Sequence, residues 1–311
     1  MKKVYPLLYL LPALLIIVLF RLFPMVFSFC ISLTDYGLGG FRKFVVLQNY
    51  SKLLCEPKFW QSFLNTIYYV LGVVPLGLFI ALFFALLLNQ RIKALGLYRT
   101  IYFLPVITSL VAISIVWKWI FNPRIGLANY FLGLLGIPKC LWLEEWSGIF
   151  QILLSPLGIK LPPLLAGPSI ALCAIILMSI WHGLGYNVII FLAGLQNIPK
   201  HYYEAAKIDG AGTWHSFWYV TWPLLSPTTF FVLLMTTITS FQMFIQVYMM
   251  EGPTGGNPLG TTRVLVYYLY EKGFAEWQMG YATALAFVLF VIILCLTLVQ
   301  RQILARRIHY Q

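Results

Sequence analysis

Six long apolar runs organise this chain: Leu7–Leu33, Ile67–Leu88, Ile101–Phe121, Ile170–Leu195, Leu224–Met250 and Tyr281–Val299. A helix rises about 1.5 Å per residue, so a run of about 20 apolar residues crosses the roughly 30 Å of hydrocarbon in a bilayer. The runs are continuous and lack the alternation of barrel strands, and lipid offers unpaired backbone groups no hydrogen-bond partner. The pattern predicts an all-α membrane protein with six spans.

Composition agrees: 61% of the 311 residues are hydrophobic and only 10% are charged. A soluble domain is nearer half apolar and about a quarter charged. Cys30, Cys55, Cys140, Cys173 and Cys295 show neither C-x-x-C nor Cys/His spacing, so they read as apolar fillers rather than as disulfides or metal ligands. Lys2 and Lys3 precede the first run as in a signal peptide. That run has no small-x-small cleavage site and continues past Arg21 to Leu33, which makes it an uncleaved span. Arg21 is either a side chain snorkelling from a tilted helix to the outer interface or a pore-facing charge.

With six spans both termini share one side, together with segments 89–100, 196–223 and 300–311. That side carries ten Lys or Arg against two acids, Glu204 and Asp209; the other side carries nine against seven, in about twice the length. The density of positive charge places both termini in the cytoplasm. The net charge of +12 is thereby accounted for by topology, since the basic residues flank spans and form no patch for nucleic acid. The outer segments are 34–64, 122–168 and 251–278. Within 122–168, Trp146–Gly167 is apolar but broken by Pro156, Pro162 and Pro163, so it is expected to be interfacial or re-entrant; as a seventh span it would invert everything after it. Trp117 and Trp119 flank Lys118 at the end of the third span, as in an aromatic belt.

The charged island Tyr202–Gly212 interrupts the apolar pattern. Pro199 suits helix position N1 and Gly210 suits C′, so Pro199–Asp209 reads as a short helix in which Lys200 and Glu204 can pair four residues apart. A second helical piece, Thr213–Val220, precedes Pro223 and the fifth span.

Glu204-Ala205-Ala206, with Gly210 four residues later and then Val220, Pro223 and Leu224, resembles the EAA cytoplasmic loop of binding-protein-dependent ABC importer permeases. Val220 stands where isoleucine is usual, and Trp222 where leucine precedes the proline. The resemblance covers nearly the whole chain and is closest to the maltose-type, carbohydrate-importing branch. It includes Gln48-Asn49-Tyr50, Phe59-Trp60, Asn65-Thr66, Leu86–Asn89, Arg99-Thr100, Leu104-Pro105, Ala193–Gln196, Ile198-Pro199, Leu259–Thr262 and Gly280–Ala284.

The family implies a six-helix type I ABC importer transmembrane domain, one permease domain over 1–311, in a prokaryotic plasma (inner) membrane. Its cytoplasmic coupling helix docks on an ATPase, here through Tyr203, Glu204, Ala205, Ala206, Asp209 and Gly210. The implied partners are a second permease subunit that is a different chain, two cytoplasmic ATPase subunits, an extracytoplasmic solute-binding protein and the lipid bilayer. ATP and Mg would be bound by the ATPases and no cofactor by this chain, which has no G-x-x-x-x-G-K-[ST] loop.

Polar side chains inside spans are costly unless they face a cavity or another helix. The fourth run carries Ser179, His182, Gly183 and Tyr186 on one face, with Asn187 beside them. The fifth carries Thr236, Thr239, Ser240 and Met243 on one face, with Gln242 and Gln246 nearby. By the same resemblance these two faces match the sugar-contacting positions of the maltose-type permease; helix packing is the competing explanation. The expected function is a non-catalytic permease subunit of an ATP-driven importer. Its cargo would be a sugar, disaccharide, polyol, glycosylglycerol or glycerol phosphate. A non-carbohydrate importer permease and a secondary transporter independent of ATPases are the alternatives, the latter disfavoured by the lack of acidic residues within the spans.

Overall fold

The computed structural model describes residues 4–90, 95–154, 158, 166–252 and 260–305. Lys2, Lys3, Arg91, Lys93, Lys160, Leu259, Arg306 and Arg307, which entered the charge and motif arguments, lie outside the described residues. So does the proline-bearing part of Trp146–Gly167 between 155 and 165, apart from Gly158.

Among the described residues, five helices are long and apolar enough to cross a membrane: α1 (Tyr9–Ser32), α3 (Pro57–Leu88), α8 (Ile170–Gln196), α10 (Thr213–Phe241) and α13 (Met279–Ala305). A sixth span is broken in two, α4 (Leu95–Ile107) and α5 (Leu110–Ile120), which meet at 98°. The shorter elements are a hairpin of β1 (Thr34–Gly37) and β2 (Gly40–Phe44), then α2 (Gln48–Cys55), α6 (Leu127–Leu134), α7 (Ile149–Leu154), α9 (Lys200–Ile208), α11 (Ile245–Glu251) and α12 (Leu265–Tyr270).

Two departures from the sequence reading have local causes. The third apolar run is not one straight helix: Ser109 is extended (φ −56°, ψ 127°), and the Thr108 hydroxyl donates to the Leu104 carbonyl (3.0 Å) just after Pro105 has removed a backbone donor. The fifth span runs from Thr213 to Phe241 rather than from 224 to 250, because Thr213–Val220 is continuous with it, and a turn at Gln242–Phe244 separates α11. The fold is built of helices as expected, with one short antiparallel pair, β1 and β2, outside the spans. Pro24 and Pro223 both follow a π-helical turn, Val18–Leu22 and Phe217–Thr221. The wider turn accommodates a ring that would otherwise press on the carbonyl four residues back. Arg21 lies in the first of these turns and is exposed.

The chain resolves into two compact units, Met1–Trp60 with Tyr268–Ile292, and Gln61–Tyr267 with Ile293–Gln311. In the first, the buried Asn49 donates from Nδ2 to the carbonyls of Ser32 and Thr34 (both 2.9 Å), and Ser32 Oγ meets the Tyr50 hydroxyl at 2.7 Å. Gly280 packs so close to the Thr34 carbonyl that a Cβ has no room. Lys272, only 8% exposed, lies between Glu276 (2.9 Å) and Glu56 (3.6 Å) and over the rings of Tyr268 and Tyr281. Tyr281 donates to Glu56 at 2.6 Å and its hydroxyl meets that of Tyr268 at 3.1 Å. Burial raises the Glu56 carboxyl, but the bonds from both tyrosines and the charge of Lys272 outweigh it and hold the group below its ordinary value. The same burial and neighbouring carboxylate push the Tyr268 hydroxyl up.

The second unit is built around α8. Its upper half packs with α3, α5 and α11 through Tyr69, Val73, Leu172, Ile175, Met178 and Val247; its lower half packs with α3 and α10 through Ala81, Ala85, Phe191, Leu195 and Leu225. Asn65 donates to the carbonyls of Gly260 (3.0 Å) and Arg263 (2.9 Å), and Thr66 accepts from the Leu265 amide (3.0 Å), which ties α3 to the chain before α12. Two glycines allow close helix contacts. A Cβ on Gly185 would overlap the Tyr102 carbonyl of α4, and one on Gly194 would lie 2.5 Å from Thr228 Oγ1 of α10.

Candidate functional site: an exposed helix and a polar cavity

Helix α9 is short because its end is specified residue by residue. Asp209 is the C-cap and Gly210 follows at φ +80°, a conformation that favours glycine. The Ala211 amide reaches back to the Ala206 carbonyl (2.8 Å) and the Gly210 amide to Lys207 (3.1 Å), the paired bonds of a Schellman ending. At the start Pro199 is the N-cap, not N1, with ψ 138°. The expected Lys200–Glu204 ion pair does not form; both side chains are exposed, where such a pair contributes little.

No residue of α9 is buried, and Ile208 is 87% exposed. Glu204, Ala205, Asp209 and Gly210 are exposed as well, with Ala206 half-buried. Tyr203 turns the other way: it packs on the α3–α8–α10 core, and its hydroxyl meets Thr221 Oγ1 at 3.1 Å. The helix therefore offers an open face while one tyrosine fastens it to two spans.

In the upper half of the same unit, a cavity of about 620 Å³ opens among α3, the α4–α5 break, α8 and the end of α10. Ser179, His182, Gly183 and Tyr186 line it from α8, and Thr236, Thr239, Ser240 and Met243 from the other wall. All eight residues singled out from sequence thus converge on one space. Met243 arrives differently from expected, since it sits in the turn after Phe241 and not on the helix face. Thr239 satisfies its own hydroxyl by donating to Met235 (2.9 Å) and Thr236 (3.1 Å). Ser179 Oγ is buried opposite the Tyr69 hydroxyl and closes no standard hydrogen bond among the described residues. Of the lining residues, Tyr186 is 45% exposed and Ser240 only 4%.

Residues 57–310 match the family described as "Binding-protein-dependent transport system inner membrane component". The chain belongs to this family. The permease is 37% identical over 295 residues to "Probable ABC transporter permease protein YesP" of Bacillus subtilis (strain 168), covering 94% of this chain and 87% of that one. It is 31% identical over 304 residues to "sn-glycerol-3-phosphate transport system permease protein UgpA" of Pectobacterium atrosepticum, covering 97% and 94%. A permease named for arabinooligosaccharide transport, AraP of Bacillus subtilis (strain 168), is 33% identical over 301 residues, covering 96% and 88%. Among solved structures, a chain of a bacterial alginate ABC transporter, in complex with its alginate pentasaccharide-bound periplasmic protein, superposes with a TM-score of 0.79. That match covers 98% of this chain and 95% of the other at 20% identity, a likeness of fold.

The permease's cavity also has walls that the sequence reading missed. Tyr69, Val73 and Gly77 come from α3, and Val106 and Leu110 from either side of the 98° break. Pro105-Val-Ile-Thr-Ser in the middle of an apolar run was the available signal for the break. Tyr69 gave none, because an aromatic in a span reads equally as core. Outside the spans, Glu251 at the end of α11 is mostly buried beside Thr262; burial pushes its carboxyl from 4.5 up to about 8, against the charge of Lys118 and the Thr262 hydroxyl.

Proposed function

We propose that this permease is one of two transmembrane subunits of an ATP-driven importer and carries a carbohydrate-type solute, received from an extracytoplasmic binding protein, through the cavity on α8 and α10. Both termini face the cytoplasm, and the second permease is a different chain. Two ATPases bind ATP and Mg and dock on α9 through Tyr203, Glu204, Ala205, Ala206, Asp209 and Gly210. The observation that carries the cargo reading is the chemistry of the cavity wall: hydroxyls, amides, an imidazole and a half-exposed tyrosine, with no Lys, Arg, Asp or Glu side chain among its lining residues. Such a wall can exchange hydrogen bonds with a polyhydroxyl ligand, whereas a phosphate or carboxylate would lose its hydration without a partner charge. Neutral saccharides are therefore favoured over glycerol phosphate.

Coupling follows from the same unit. ATPase closure displaces α9, and Tyr203 passes the movement to α8 and α10 through Thr221 and the Leu195–Leu225 core. From Gln196 to Tyr186 is about 15 Å of continuous helix, a stiff lever between the docking face and the cavity. The cavity then alternates between the binding protein and the cytoplasm.

The test is uptake by the reconstituted transporter with its partner subunits and binding protein. Ser240→Ala and Tyr186→Ala each reduce neutral-sugar transport about 5-fold, the worth of one hydrogen bond, without loss of ATPase association. Gly210→Val weakens that association while leaving the cavity intact. Unchanged transport in both cavity variants sinks the cargo path, and unchanged ATPase association in Gly210→Val sinks the docking role.

A further inference from the structure

A second site lies away from the transport cavity, at the end where α5 finishes and α8 begins. The loop after α6 is held by Asn129, which is 4% exposed. Its Nδ2 donates to the carbonyls of Pro123 and Cys140 (both 2.9 Å), and its Oδ1 accepts from the Cys140 amide (3.1 Å) and Trp142 Nε1 (2.8 Å). All the hydrogen-bonding positions of that amide are used, so segment 137–142 is a built feature. Asn122 Oδ1 likewise accepts from the amides of Arg124 and Ile125 at 2.9 and 3.1 Å, shaping the turn that leaves α5.

Two cavities meet at Cys140 on this loop. One, of about 430 Å³, is lined almost wholly by apolar groups, among them Leu132, Ile137, Ile149, Ile170, Ala174 and Leu177. The other, of about 630 Å³, is polar and is lined by Asn122, Arg124, Lys139 and Glu144. Their depths differ in an informative way. The apolar cavity runs along the first two turns of α8, a membrane-spanning helix, and so reaches about 10 Å into the span. The cations of the polar cavity belong to segments beyond the ends of α5 and α6. Around them α6 and its loop expose Tyr130, Phe131, Leu134 and Leu135, each more than half accessible, as a helix lying in the bilayer interface does.

We infer that this pair of cavities is a binding site for an anionic phospholipid, its phosphate between Arg124 and Lys139 and one acyl chain along Leu132, Ile137 and the first turns of α8. Two cations against one carboxylate, Glu144, leave the polar half net positive, which selects an anionic headgroup over zwitterionic ones. The apolar half requires a chain and is of no use to free phosphate. The site would brace the outer ends of α5 and α8, next to the cavity wall.

The experiment uses the assembled transporter in mixed micelles, reading lipid retention by native mass spectrometry and thermal stability in parallel. Long-chain phosphatidylglycerol is expected to be retained and to raise the melting temperature more than phosphatidylethanolamine or phosphatidylcholine. Arg124→Gln with Lys139→Gln is expected to weaken retention about 25-fold, the product of about 5-fold per cation near a membrane surface. Dihexanoyl phosphatidylglycerol and inorganic phosphate are expected to give no shift. Equal retention of the three long-chain lipids overturns the proposal, as does retention unaffected by the double variant. A shift from inorganic phosphate as large as that from the lipid also overturns it. If the double variant is unstable, Arg124→Lys with Lys139→Arg keeps the charges and must keep the lipid.

Discussion

Gly185→Ala tests the packing of the cavity wall directly. Gly183 and Gly185 lie two residues apart in the middle of α8, so replacing either by alanine removes a similar conformational penalty, about 0.5–1 kcal/mol in favour of the helix. Their surroundings are opposite. A Cβ on Gly183 meets nothing within 4 Å, whereas one on Gly185 overlaps the Tyr102 carbonyl and lies 3.0 Å from Val106 Cγ2. A backbone carbonyl in α4 cannot rotate aside, so α4 and α8 must separate, and overpacking of this kind costs about 1–3 kcal/mol. The net expectation is a gain of a few tenths to about 1 kcal/mol for Gly183→Ala and a loss of about 0.5–2 kcal/mol for Gly185→Ala. At about 2–4 °C per kcal/mol in large domains, the two variants should melt several degrees apart, one above wild type and one below. Tryptophan fluorescence of the purified transporter in detergent, at one scan rate, reads both. Gly185→Ala melting at or above Gly183→Ala would refute the close approach of α4 and α8.

Four further expectations concern the end of α9 and two charged sites. Gly210→Ala places a side chain at φ +80° with no steric clash, so it costs about 1–2 kcal/mol through backbone conformation alone. Gly210→Asn costs less, and ATPase co-purification should follow that order. Because Glu56 is held below its ordinary value when folded, its stabilisation is present above the unfolded value and disappears as pH falls through the folded one. Glu56→Gln should therefore flatten the acid limb of melting temperature against pH. Glu251 has the opposite sign: raised from 4.5 to about 8, it binds its proton more tightly folded than unfolded. Stability should decline as pH rises through that interval, and Glu251→Gln should remove the decline and melt above wild type at pH 8. Finally, Lys272→Met leaves the half-buried Glu56 and the exposed Glu276 without the cation they share. A melting temperature lowered by several degrees is expected, and Lys272→Arg should restore part of it.

The sequence by itself determined what local physics controls. Hydrocarbon thickness sets the length of a span, so α1, α3, α8 and α13 are legible as long apolar runs. The ending of α9 is written in Asp209-Gly210-Ala211, where one left-handed glycine closes two backbone bonds. The six polar positions among the eight on the fourth and fifth runs were legible as well, because a polar side chain inside lipid needs a neighbour. Which neighbour it has is a tertiary matter. The 98° break at Ser109, the turn that carries Met243 and the contribution of Tyr69 depend on how α3, α4, α8 and α10 pack, and packing energy between apolar helices leaves no periodic signature. Asn49, Asn65 and Asn129 make the same point: only folding sets each amide against the two or three backbone groups, up to 198 residues away, that give it a structural role.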